Sequence, residues 1–314
     1  MHKMITLVLY LNQNSSSLDL CLSQLAKLDS SKSHVLIYLD SKSPELCATI
    51  ENFFSNKYSN FTLIKNYTQL GQAFCYNNAI DLAKTNYIMF MNFNSILADN
   101  FLVSIEDSLN NNYDVVSIES TNPSIFYNLL SSEYTEVNQE LILGISNKEI
   151  YNKIYNVEFL KNNEIVFNDN KWYPDYFNLQ VLLTFKMWKN ILNTPLITFK
   201  KHKDVDFNLY DLLFQLKKMD NLINNSTLLP EFGFELEYWF VYIAKYKFLS
   251  KIDEKYPLEK NSSKLISLKN KEIRKLASKN VLKNLKLFCK NLNKNPYYKN
   301  FKKIIDTYSK STTW

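Results

Sequence analysis

Short apolar runs alternate with helix-period segments through the first third of the chain. Residues 4–11 are almost wholly apolar and predict a buried strand. Leu18, Leu20, Leu22 and Leu25 fit one helix. Residues 35–39 predict a second strand that ends at Asp40, and Pro44, at an allowed first-turn position, opens a helix through Phe54. The same reading gives strands at 61–64, 87–91 and 115–118, with helices at 72–84 and 100–109 between them. Strands alternating with helices at this spacing imply right-handed βαβ units and a largely parallel sheet. Ligands of such sheets sit beyond the carboxyl ends of the strands, where Asn12, Asp40 and Asn92 to Asn94 fall.

The pattern is less regular further on. Residues 148–160 read as a helix, 164–167 as a short strand, 176–192 as a long apolar helix and 196–199 as a last strand. Beyond Asp206 the periodicity is wholly helical. The expected organisation is an α/β domain over residues 1–206 and a helical extension over 207–314. Within the extension, near 270–293, Ile273, Ala277, Val281, Leu285, Phe288 and Leu292 form an apolar stripe. Lys271, Lys275, Lys279, Lys283, Lys286 and Lys290 recur two positions earlier, about 200° around a helix, so the stripes oppose each other. Such a helix suits an anionic membrane surface, and equally a packed helix with a solvated lysine face.

Composition narrows the classes. Only three glycines occur, Gly71, Gly144 and Gly233, which excludes the glycine-rich phosphate loops. Cys21, Cys47, Cys75 and Cys289 lack metal-ligand spacing and read as reduced thiols of a cytoplasmic protein. The histidines, His2, His34 and His202, are scattered, so no metal cluster is expected. The apolar stretch 232–249 carries Glu235, Glu237, Lys245 and Lys247, which excludes a membrane span there. Residues 260–314 hold fifteen Lys/Arg against Glu272 and Asp306, a net +13, while the rest of the chain carries −7. An acidic body with a basic tail suggests an anionic partner at that end. Nucleic acid is disfavoured, because Arg274 is the only arginine.

Several segments together resemble family 2 glycosyltransferases of the GT-A fold. Leu9-Tyr10-Leu11-Asn12 resembles that family's opening strand, which closes on Tyr-Asn. Leu36 to Ser41 resembles the strand closed by Asp-Asp-Gly-Ser, with Leu39 in place of the first aspartate and Asp40 matching the second. Gly71, Asn77 and Ile80 match the Gly-Leu-x-x-Ala-Arg-Asn-x-Gly-Ile helix, with Tyr76 in place of its arginine. Asn92-Phe93-Asn94 then stands where the Asp-x-Asp metal motif belongs. Asn152-Lys153-Ile154-Tyr155, Tyr173-Pro174-Asp175 and Phe199-Lys200-Lys201-His202 resemble later motifs, with Pro174 replacing the first acid of a Glu-Asp pair. The likeness spans residues 4–206.

The resemblance implies a nucleotide-sugar donor, a UDP-sugar favoured, and a lipid or glycan acceptor at the cytoplasmic face of a membrane. It implies that Asp40 binds the base, and a carboxylate acceptor suits a uracil N–H; a turn-capping role for Asp40 is equally open. It implies Asp175 as general base, the alternative being an N-cap. Asn12, Asn92, Asn94 and His202 are the remaining candidates for holding the donor, His202 being otherwise a surface histidine. Magnesium or manganese is weakened as a cofactor, because two amides offer no negative charge to a dication. The expected function is therefore glycosyl transfer by a protein that is cytoplasmic or peripheral on the inner membrane face. The other reading is an inactive relative that binds a sugar nucleotide or partners an active transferase.

Overall fold

A computed structural model describes residues 4–12, 18–41, 43–57, 61–66, 68, 70–118, 133–135, 150–168, 174–191, 195–199 and 209–242. The chain divides into two compact units, one of Met1–Gln139 with Asn147–Lys203, the other of Glu140–Ser146 with Asp204–Trp314.

The first unit is built on a mixed, mostly parallel sheet. Its strands are β1 (Ile5–Leu11), β2 (Ser33–Leu39), β3 (Phe61–Lys65), β4 (Tyr87–Met91), β6 (Val115–Ile118), β7 (Glu133–Thr135), β8 (Lys153–Asn156) and β9 (Met187–Ile191). They lie in the order β3-β2-β1-β4-β8-β6-β9-β7. β3, β2, β1 and β4 run parallel, as do β6 and β9, whereas β8 is antiparallel to both of its neighbours. A second, two-stranded sheet pairs β5 (Ser95–Leu97) with β10 (Ile197–Phe199), antiparallel. Helices α1 (Leu18–Leu25), α2 (Pro44–Lys57), α3 (Gln72–Leu82), α4 (Phe101–Asn110), α5 (Val157–Asn162) and α6 (Asp175–Thr184) connect them.

Both faces of the sheet are covered, which is why its strands read as continuous apolar runs rather than alternating ones. On one face Ile5, Leu7, Leu9, Ile37, Met89 and Ile154 pack with Leu22 of α1 and Phe101 and Ile105 of α4. On the other, Phe90 of β4 and Tyr155 of β8 meet Tyr76 of α3 and Phe177 of α6. Removal of each such side chain from water contributes about 1.5–3 kcal/mol.

Two helices expected from the sequence are not helices throughout. Residues 148–160 contain β8, and helix begins only at Val157, where the Asn156 side chain accepts from the Phe159 amide at 3.0 Å. The strand wins because Ile154 joins one core and Tyr155 the other, which only a period of two permits. Residues 176–192 split into α6 and β9. Asp114 Oδ2 accepts from the amides of Lys186 and Met187 at 2.7 and 2.9 Å and turns the chain onto the edge of β6. Residues 164–167 are not a strand; the backbone of Phe167 bonds instead to a side chain of α3. Gln72–Leu82 and Phe101–Asn110 differ from expectation only at their ends.

In the second unit α7 (Leu209–Asn224) and α8 (Leu229–Tyr242) pack on one another, with Leu216, Met219, Leu236 and Trp239 buried. The basic stripe at 270–293 lies outside the described residues.

Candidate functional site

The carboxyl ends of β1, β2 and β4 bring four of the six expected residues to one sheet edge. Leu11 pairs with Leu39, so Asn12 and Asp40 are the next residues on neighbouring strands. Leu9 pairs with Met91, which sets Asn92 level with Tyr10. Asn12 is exposed; Asp40 is 1% exposed.

Asp40 ties this edge together. Its Oδ2 accepts from the Tyr10 hydroxyl at 2.8 Å and the Gly71 amide at 2.8 Å, and its Oδ1 from the Leu70 amide at 3.0 Å. The carboxylate therefore lies just ahead of α3, where backbone N–H groups lack intrahelical partners and the helix dipole favours an anion. Gly71 is required for this: it sits at φ 85° and ψ 159°, a region open essentially only to glycine. Burial, then the bond to Asp40 and its charge, push the Tyr10 hydroxyl well above its ordinary value.

Residues 92–95 form a tight turn. The Ser95 amide donates to the Asn92 carbonyl at 2.8 Å, and the Asn94 amide to Asn92 Oδ1 at 3.0 Å. The Asn92 amide in turn donates to Ser95 Oγ at 3.2 Å. An asparagine that accepts from the amide two residues on is the reason this tripeptide folds back. Asn94 is 6% exposed, and its Nδ2 donor has no acceptor among the described residues.

A divalent cation, which the resemblance places here, does not fit this donor set. Asn92 spends its oxygen on the turn, Asn94 presents a buried N–H donor, and neither bears charge. Among the described residues no three His, Cys, Asp or Glu side chains gather to hold a metal.

Beside the turn, hydrogen bonds and rings knit α3 to the sheet. Tyr76, fully buried, donates to the Met91 carbonyl at 3.2 Å and stacks on Phe90 at 4.5 Å. Gln72 Nε2 reaches both the Tyr76 hydroxyl at 3.0 Å and the Tyr151 hydroxyl at 3.2 Å. The position where the resemblance expects an arginine is thus an internal aromatic. Asn77 pairs with the backbone of Phe167 twice: Nδ2 donates to its carbonyl at 2.9 Å, and Oδ1 accepts from its amide at 2.7 Å. Phe167 stacks at 4.0 Å on Phe177, and Asp175, 1% exposed, begins the helix that carries Phe177. Asp175 is therefore positioned through the aromatic cluster over β4 and β8. Lys153, first residue of β8, is also 1% exposed, with Nζ 3.4 Å from Asn152 Oδ1.

β10 ends opposite Ser95, the residue after the turn, but His202 lies outside the described residues. Reading the sequence alone missed the structural work of Tyr10, Gln72, Asn77 and Lys153. Asn77 and Lys153 stand within matched motifs, whereas nothing in the sequence signals which partners Tyr10 and Gln72 find.

The sequence matches no protein-family model and no curated protein. Solved structures do resemble it. Residues 1–349 of TarS from S. aureus, in complex with UDP-GlcNAc, superpose with a TM-score of 0.70 at 16% identity, over 82% of this chain and 77% of that one. The match to the longer TarS chain spans 46% of its length. A mannosyltransferase, PcManGT from Pyrobaculum calidifontis in complex with GDP-Man and Mn2+, gives 0.57 at 10% identity over 92% and 85%. The fold is that of GT-A-like glycosyltransferase structures.

Proposed function

We propose that this chain is a family 2-type glycosyltransferase that moves a sugar from a nucleotide-sugar donor to a lipid or glycan at the cytoplasmic membrane face. The observation that carries the reading is the gathering of Asn12, Asp40 and the Asn92 to Ser95 turn at one edge of a GT-A-like sheet. Similarity to structures that hold UDP-GlcNAc and GDP-Man supports a nucleotide-sugar donor.

In this reading the acceptor hydroxyl oxygen attacks the anomeric carbon, its proton passes to the Asp175 carboxylate, and the nucleoside diphosphate leaves. Such a base contributes about 10²–10⁴-fold in rate. Asn12 and Asn94 align the donor by hydrogen bonding. Asp40 orders the loop ahead of α3 on which the donor rests; both of its oxygens already accept bonds, so any contact to a base adds to that role. His202 is assigned to the diphosphate end of the site. The basic stripe at 271–290 brings the chain to anionic lipid.

A second reading, a non-catalytic relative that binds a sugar nucleotide, is favoured by the amide turn and by the burial of Tyr76 at the arginine position. One experiment separates the two. A panel of nucleotide sugars is screened by thermal shift, and the best donor is then followed for transfer or hydrolysis. The transferase reading expects a donor-dependent rise in Tm and turnover that falls at least 100-fold in Asp175→Asn. Stabilisation without turnover selects the non-catalytic reading, and no stabilisation by any donor rejects both.

A further inference from the structure

We infer that the negative charge of the bound diphosphate is met by the buried ammonium of Lys153 and by the Asn94 amide, without a divalent cation. This rests on the proposed nucleotide-sugar reading and names the groups that replace its metal.

Two independent observations carry it. The first is Lys153, the only buried lysine among the described residues. Buried ionisable groups gather where a fold uses their charge. Its place is defined by register. β8 runs antiparallel to β4 with Ile154 opposite Met89, so Lys153 comes level with Phe90, near the carboxyl end of β4 and the turn beyond it. Alternation puts Lys153 on the face of Tyr155, the face on which α3 and α6 lie. Asn152, beside its Nζ, is itself anchored by a bond from Nδ2 to the Ile118 carbonyl at 3.3 Å. Tyr151, two residues earlier, is bridged through Gln72 and Tyr76 to the carbonyl of Met91, the residue before Asn92. The start of β8 and the Asn92 turn are therefore parts of one bonded edge.

The second observation is the Asn94 Nδ2 donor, 94% buried by residue and without an acceptor among the described residues. A buried donor left unmade is costly, and a phosphate oxygen is the acceptor it lacks. An aspartate at this position would repel the same oxygen unless a cation stood between them. The amide and the lysine are thus a consistent pair: one removes the need for a bridging cation, the other supplies positive charge within the fold. A charge in a poorly screened interior acts over several ångströms, so Lys153 serves as a positioning charge without being exposed itself.

Calorimetric titration of the full chain with UDP, GDP, uridine and guanosine, in EDTA and in Mn2+, tests this. The expected result is diphosphate binding in EDTA that Mn2+ changes less than twofold. Lys153→Met, which keeps the chain length, is expected to weaken diphosphate binding at least tenfold while the nucleoside binds as before. A merely structural lysine would move both ligands together. Asn94→Asp is expected to lose diphosphate binding in EDTA and regain it with Mn2+. Diphosphate binding by the unaltered chain that needs Mn2+, or full affinity in Lys153→Met, overturns the inference and leaves the donor reading standing. Absence of diphosphate binding under both conditions overturns the donor reading as well.

Discussion

Asp40 and Gly71 act as a pair. The carboxylate gathers the amides of residues 70 and 71, and only glycine reaches the backbone angles that present the second of them. A Cβ at Gly71 would meet nothing within 4 Å, so the cost of Gly71→Ala is conformational and not steric. We expect a loss of about 1–3 kcal/mol in chemical unfolding. The buried thiols make a separate prediction at this scale. Burial pushes Cys21 and Cys75 up to about 12, and Tyr87 likewise to about 12. These groups stay neutral in the fold and ionise earlier in the unfolded chain. Their contribution is full below the unfolded values, near 9.0 for the thiols and 10.0 for the tyrosine, and is lost as pH rises towards 12. Urea midpoints should therefore fall steadily above pH 9; a flat profile from pH 8 to pH 11 would contradict this.

At the scale of elements, Asn77 is the clasp between α3 and the segment that leads into α6. Its two bonds to Phe167 hold the ring that stacks on Phe177. Asn77→Ala should cost about 1–3 kcal/mol and speed amide exchange at Phe167 ahead of the sheet. The parallel half of the sheet was legible from sequence because each of its strands is a compact apolar run separated from the next by a helix. Of the other half, only the strand Val115–Ile118 was. Lys153 to Asn156 mixes polar and apolar residues although both faces are covered: Ile154 joins one core, Tyr155 meets aromatic rings on the other, and Lys153 is buried despite its charge. Phe185 ends α6 for a reason remote in sequence, the Asp114 carboxylate that accepts from the next two amides. Of the site, the residues at strand ends were readable by position. The bonds that employ them, from Asp40 to residues 70 and 71 or from Asn77 to Phe167, join segments about 30 and 90 residues apart that no local pattern connects.

For the whole molecule, fold and charge point the same way. A GT-A-like unit brings Asn12, Asp40 and the Asn92 turn to one sheet edge, and the tail carries the net positive charge. No helix among the described residues is long and apolar enough to cross a membrane. If the lysine stripe meets lipid, the full chain should co-sediment with vesicles containing phosphatidylglycerol and be released as salt is raised. Equal sedimentation with neutral phosphatidylcholine vesicles would exclude that role. The most direct test of the proposed donor site is amide hydrogen exchange of the full chain with and without UDP-GlcNAc or GDP-Man. Slower exchange at residues 70–71, 92–95 and 175–178 in the presence of one donor is the predicted result. Unchanged exchange at all three segments under saturating donor would contradict it.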